Sequence, residues 1–112
     1  MKSLILIIYI WILGSTLFVG NNSQAEGYQK EALYYFNQAE SCMNDADYYN
    51  RQAQSYMKDA VYYAKNGNYS KALTYQDYGK SALDKSKSYT ERAKDASQKA
   101  GSKLQQAKDA SR

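Results

Sequence analysis

The sequence predicts an all-α protein: an N-terminal hydrophobic signal or anchor helix followed by an antiparallel two-helix coiled-coil hairpin. Three observations carry this. The stretch Glu31-Ala-Leu-Tyr-Tyr-Phe-Asn-Gln-Ala-Glu-Ser-Cys-Met-Asn44 is followed directly by Asp45-Ala-Asp-Tyr-Tyr-Asn-Arg-Gln-Ala-Gln-Ser-Tyr-Met-Lys58, identical at seven of fourteen positions. Fourteen residues make two heptads, so the repeat is that of a coiled coil. Proline is absent from all 112 residues, which suits long helices because proline costs about 3 kcal/mol inside one. A third copy of the repeat begins at Asp59-Ala-Val-Tyr-Tyr63 and is broken by Asn66-Gly67-Asn68, which reads as a reversal.

Residues 1–25 form the first element. Lys2 precedes an apolar stretch that carries no charge until Glu26, the order of an export signal. Ser23-Gln24-Ala25 sets small residues at the two positions a signal peptidase reads, which predicts cleavage after Ala25. The apolar run, about 17 residues, also meets the lower limit for a spanning helix, so an uncleaved membrane anchor is the other reading and a buried core helix a third. Lys2 then stays on the cytoplasmic side while the rest is exported, secreted or periplasmic, or membrane-anchored with the C-terminus outside.

The hairpin occupies 26–112. Its first helix, about 27–66, has Ala25, Ala32, Ala39, Ala46, Ala53 and Ala60 seven apart. Tyr28, Tyr35, Cys42, Tyr49, Tyr56 and Tyr63 each follow three residues later. These are the a and d positions of an amphipathic helix, with Phe36, Met43 and Met57 at e and polar residues at f. In the turn, 66–68, Gly67 suits the left-handed conformation that closes a helix, and Asn68 suits the N-cap of the next. The second helix, about 69–110, places Ala72, Gly79, Ser86, Ala93, Ala100 and Ala107 at a. Its d series is Tyr75, Ala82, Tyr89, Ala96, Lys103 and Ala110.

Folding the second helix back on the first pairs large with small. Tyr63 faces Ala72, Ala60 faces Tyr75, Tyr56 faces Gly79, Ala53 faces Ala82, Tyr49 faces Ser86 and Ala46 faces Tyr89. Cys42 then faces Ala93, Tyr35 faces Ala100 and Tyr28 faces Ala107. No core tyrosine meets another in this register, and each ring finds a small residue opposite. A parallel homodimer of the first helix would instead stack tyrosine on tyrosine and underfill the alanine layers. Beyond Tyr89 the core is alanine, Lys103 intrudes and Gly101 weakens the helix, so the last fifteen residues are expected to fray. Phe36, Met43, Met57, Leu83 and Leu104 are left as spare apolar surface.

From Tyr56 to Gly79 the chain resembles a single tetratricopeptide repeat. The aromatic Tyr56, the small Ala60, Tyr63, the turn Gly67-Asn-Tyr69, Ala72-Leu73 and the small Gly79 carry the likeness. Asp59 stands where that family usually has leucine, and no proline closes the unit. The resemblance implies a helix-turn-helix that packs against other helices and binds proteins.

Composition narrows the chemistry. Histidine is absent, removing the commonest general base and metal ligand. The single cysteine makes neither an internal disulfide nor a thiolate cluster. Cys42 reads as a buried small residue or, in an oxidising compartment, as one half of an intermolecular disulfide. No Gly-rich phosphate loop or nucleophile–base pair occurs; no enzyme, cofactor or metal is expected. Residues 26–66 hold four basic and six acidic side chains, whereas 67–112 hold ten basic and five acidic. The two halves therefore attract each other and leave positive charge toward the C-terminus.

Two candidate surfaces follow. Tyr34, Tyr48 and Tyr62, with Phe36, Met43 and Met57, form a candidate strip for another protein or a second copy of the chain, since tyrosine is enriched in recognition surfaces. Lys80, Lys85, Lys87, Arg92, Lys94 and Lys99 are candidates for anionic lipid or wall polymer. Nucleic acid is not expected, because no aromatics interleave with the lysines beyond Tyr89. The functional expectation is an exported, non-enzymatic interaction or structural module at the cell surface, or alternatively a polyanion binder.

Overall fold

A computed structural model describes residues 23–111, which form two helices, α1 (Ser23–Lys65) and α2 (Tyr69–Ala110). The expectations placed on residues 1–22, the apolar leader and its topology, lie outside the described residues. Among the described residues, no helix is long and apolar enough to cross a membrane. Helix α1 begins four residues before the expected start, so Ser23-Gln24-Ala25 is helical and Ala25 is buried.

The turn is built as its residues predict. Gly67 has φ +75°, a conformation that costs glycine little and other residues more. The Asn68 amide donates to the Tyr63 carbonyl at 2.9 Å and the Gly67 amide to the Ala64 carbonyl at 3.1 Å. This pair of bonds is a Schellman motif, which satisfies carbonyls that the end of a helix would leave free. Asn68 then serves α2 as well. Its side-chain oxygen accepts from the Lys71 amide at 3.2 Å, and its carbonyl accepts from the Ala72 amide, an N-cap. One residue closes one helix and opens the next.

The chain divides into two compact units. The turn unit is Asn44–Thr90; the terminal unit joins the described residues before Asn44 to those after Thr90. In the turn unit, Ala46, Ala53, Ala82 and Gly79 are buried, and the Ser86 hydroxyl donates to the Ala46 carbonyl at 2.8 Å. A side chain that short reaches the opposite backbone only where both facing residues are small. Gly79 lies against Met57: a Cβ there would sit 2.9 Å from the Met57 methyl.

Rings do meet in this unit, contrary to the expected register. Tyr49 and Tyr89 stack with centroids 5.6 Å apart and planes 7° from parallel, and Tyr63 and Tyr75 do so at 5.3 Å and 12°. The cause is the lean of helical side chains toward their own N-terminus. Between antiparallel helices, a tyrosine in one layer and the tyrosine of the adjacent layer on the other helix lean toward one another. The large groups therefore pair diagonally, and the small ones, Ala46 and Ser86, meet between the same layers.

The terminal unit corrects three further expectations. Phe36 is buried, 4% exposed, against Ala32 and Ala100 with Leu33, Tyr35 and Leu104 packed around it. Alanine layers are too thin to fill the space between two helices, so the flanking ring swings over the ridge and Leu104 meets it. Neither residue is spare surface. The C-terminal segment stays helical to Ala110, with Ala100 and Ala107 buried, where fraying was expected. Lys103 does not burden the core: its Nζ lies 2.7 Å from the Glu31 carboxylate and 5.7 Å from the centre of the Tyr28 ring. A long stem lies along apolar surface while its charge finds a partner at the edge.

Candidate functional site

The outward tyrosines stand where the heptad places them. Tyr34, Tyr48 and Tyr62 are 58%, 56% and 62% exposed. Each meets its inward neighbour edge-on, at 5.4, 5.2 and 5.2 Å between ring centres for the 34–35, 48–49 and 62–63 pairs. An edge-on contact is the favoured geometry for two rings, and it holds the outer ring at a set angle while leaving much of it in water. Tyr34 is fixed further, its hydroxyl accepting from Gln38 Nε2 at 2.7 Å. Of the companions expected on this strip, Phe36 belongs to the core, and Met43 and Met57 are half-buried.

The basic candidates divide into two sets. Lys80, Lys87 and Lys94 are exposed and seven apart along α2. Lys85 and Lys99 instead hold their ammonium groups over rings, 5.4 Å from the Tyr49 centre and 5.8 Å from that of Tyr35. Lys71, absent from the sequence candidates, does the same to Tyr63 at 5.1 Å. Such contacts contribute about 0.5–1 kcal/mol at exposed sites. The signal for them was present: Lys71, Lys85 and Lys99 repeat every fourteen residues, matching the tyrosine repeat of the partner helix. Arg92 falls in the same heptad series, beside Cys42 in the wall of an open groove.

That groove, in the terminal unit, has a volume of about 420 Å³ and is lined by Gln38, Ser41, Cys42, Arg92, Asp95, Ala96 and Lys99. Cys42 is half-buried rather than buried. A second groove, in the turn unit, has about 220 Å³ between Tyr49, Gln52, Tyr56, Tyr78, Ser81, Ala82 and Lys85. Among the described residues, no group of three or more His, Cys, Asp or Glu side chains is arranged to hold a metal ion.

Among the described residues, two ionisable groups are clearly perturbed. The Tyr75 phenol is held above its usual value of 10.0, first by Tyr63 beside it, then by burial and by Asp59, Tyr78 and Tyr56. Lys103 is raised above 10.5 by its hydrogen bond to Glu31, which outweighs partial desolvation. Both shifts favour the proton staying in place, which suits structural roles.

Fold and surface together define a class, the all-α helical hairpin whose two strands of helix are tied by rings and cations. No protein-family model, curated protein or solved structure matches the chain.

Proposed function

We propose that this chain is an exported, non-enzymatic helical interaction or structural module that works at the cell surface, associating with another protein or with itself. The observation that carries the reading is the repeated Tyr–Tyr pair, whose inner ring packs in the helix pair and whose outer ring is presented to water in each of three copies. Aromatic surface held rigidly costs little side-chain entropy on binding, and tyrosine is enriched in interface cores. The apolar leader at residues 1–25 supports export, by cleavage after Ala25 or by retention as an anchor. Cleavage there would remove the first buried alanine of α1. The stretch Tyr56–Gly79, with its likeness to a tetratricopeptide repeat, fits the same role. Crosslinking mass spectrometry of the native protein from membrane and soluble fractions tests it, alongside a triple variant with Tyr34, Tyr48 and Tyr62 changed to serine. The expected result is association that the variant loses with helicity unchanged; a monomer that retains no partner refutes the proposal.

A second reading, a binder of anionic lipid or wall polymer, draws on Lys80, Lys87 and Lys94, exposed and seven apart. Co-sedimentation with anionic vesicles that weakens as salt rises would favour it. Weak binding indifferent to salt would dismiss it.

A further inference from the structure

We infer that a second copy of the chain covers the edge of the turn unit that carries Val61 and Leu73, giving a two-fold dimer with its turns side by side. In the terminal unit the matching edge is closed from within. Phe36 is buried against Ala32 and Ala100 there, with Leu33 and Leu104 packed around it. Further along the repeat, Asn50 and Ala64 take the place of Phe36, and Val61 that of Leu33. Neither Asn50 nor Ala64 can swing a ring over the ridge. Met57 reaches across to Gly79, and on the same edge Val61, Tyr69, Leu73 and Leu83 remain exposed, Val61 by 53% and Leu73 by 62%. Apolar side chains grouped in this way mark an interaction surface.

Charge says what sits on it. At the outward f positions α1 carries Arg51 and Lys58, and α2 carries Asp77 and Asp84. At b, next to the apolar edge, α1 has Asp47, Gln54 and Val61, and α2 has Lys87, Lys80 and Leu73. All ten are exposed. The helices pass with Gly79 against Ala53 and Met57. That register sets Arg51 level with Asp84, Lys58 with Asp77, Asp47 with Lys87, Gln54 with Lys80 and Val61 with Leu73. Within one hairpin the f positions of the two helices point away from each other, so their matched charges do not meet. A two-fold axis running along the turn unit keeps every residue at its own height and lays α1 of each copy on α2 of the other. The matched charges and the matched apolar pair then come together, each contact made twice. A two-fold axis across the hairpin would lay α1 on α1 and set the basic row against itself. Arg51 and Asp47 also pair along α1 at 2.8 Å, but with side chains 75% and 46% exposed both stay within reach of a neighbour. At 1.5 Å per residue and about 10 Å across each helix, this face measures roughly 700 Å², close to the roughly 800 Å² that each partner buries in a standard interface.

The edge lies on the other flank of α1 from Tyr48 and Tyr62, so the dimer stands or falls apart from the role proposed for the tyrosine strip. Sedimentation equilibrium of the full chain in non-ionic detergent should show a reversible dimer with a Kd in the micromolar range. Lys58→Glu or Asp77→Lys alone should raise that Kd about tenfold, because symmetry turns two attractions into repulsions at once. The two together should restore it. Val61→Ser with Leu73→Ser should give a monomer whose helical circular dichroism is intact, since both side chains are exposed. The variant with Tyr34, Tyr48 and Tyr62 changed to serine should still dimerise. A monomer at every concentration would overturn the inference, even one that still captures another protein through those tyrosines. A dimer indifferent to the charge changes, as association through residues 1–22 would be, or a double charge variant no tighter than the single ones would overturn it as well.

Discussion

The turn unit and the terminal unit are written in the same fourteen-residue code and solve the packing of two helices differently. In the turn unit the filling is tyrosine on tyrosine, with Tyr49 on Tyr89 and Tyr63 on Tyr75. None of those rings is fully buried, because a phenol keeps its hydroxyl in reach of water. In the terminal unit Phe36 takes that place: it is buried with Ala32 and Ala100, and cations close the edges at Tyr28 and Tyr35. The difference teaches that a heptad of alanine and tyrosine sets helices close together without deciding what fills the gap. A ring that needs no hydrogen bond goes inside; one that does goes to the rim.

The comparison can be broken most severely at Phe36. Phe36→Ala should destabilise the terminal unit by about 3–5 kcal/mol, the usual cost of deleting a buried ring. Hydrogen exchange would show faster opening of residues 28–40 and 96–107 with a smaller change at 49–63; uniform loss of protection would mean that the two units do not differ as described.

A smaller effect is expected in the turn unit at Gly79. The Met57 methyl lies where a side chain would go, with the Ala53 carbonyl just beyond. Gly79→Leu should cost about 1–3 kcal/mol by overpacking. Gly79→Ala should change stability little, since Met57 is flexible and alanine gains about 1 kcal/mol of helix propensity over glycine. Chemical denaturation midpoints distinguish the two, and a stabilising leucine would refute the close approach.

Smaller again is the coupling between stacked rings. A double-mutant cycle on Tyr49 and Tyr89 should return about 0.5–1.5 kcal/mol. The same cycle on Tyr49 and Ser86, the pair that the simple register sets face to face, should return less. The reverse order would restore that register.

The mildest contrast is with pH. Tyr75 holds its proton more tightly folded than unfolded, so its contribution is complete below the ordinary phenol value and is lost as pH rises through the raised one. Unfolding of the turn unit should therefore become easier above about pH 10, and Tyr75→Phe should flatten that slope. Lys103 in the terminal unit follows the same sign above its ordinary 10.5. Alkaline stability profiles that ignore Tyr75→Phe would count against the ring cluster as the cause.

Much of this architecture was legible beforehand. Alanines at seven-residue intervals, the absence of proline and the Asn66-Gly67-Asn68 break predicted both helices, the reversal and the residues that would close it, and Tyr34, Tyr48 and Tyr62 are each exposed. The groove at Cys42 was half legible. Cysteine in a tyrosine's place was visible, but Arg92 opposite it emerges only when the second helix is laid against the first.

What the sequence alone determined is angular. A period of seven states which way each residue points around its helix, and that follows from 3.6 residues per turn whatever the partner. What the tertiary structure decided is axial: how far each side chain leans along the helix, and so whether Tyr49 meets Ser86 or Tyr89, whether Phe36 is covered, and which lysines lie on rings. That lean carries no mark in the heptad, because its consequence depends on the direction in which the neighbouring helix runs.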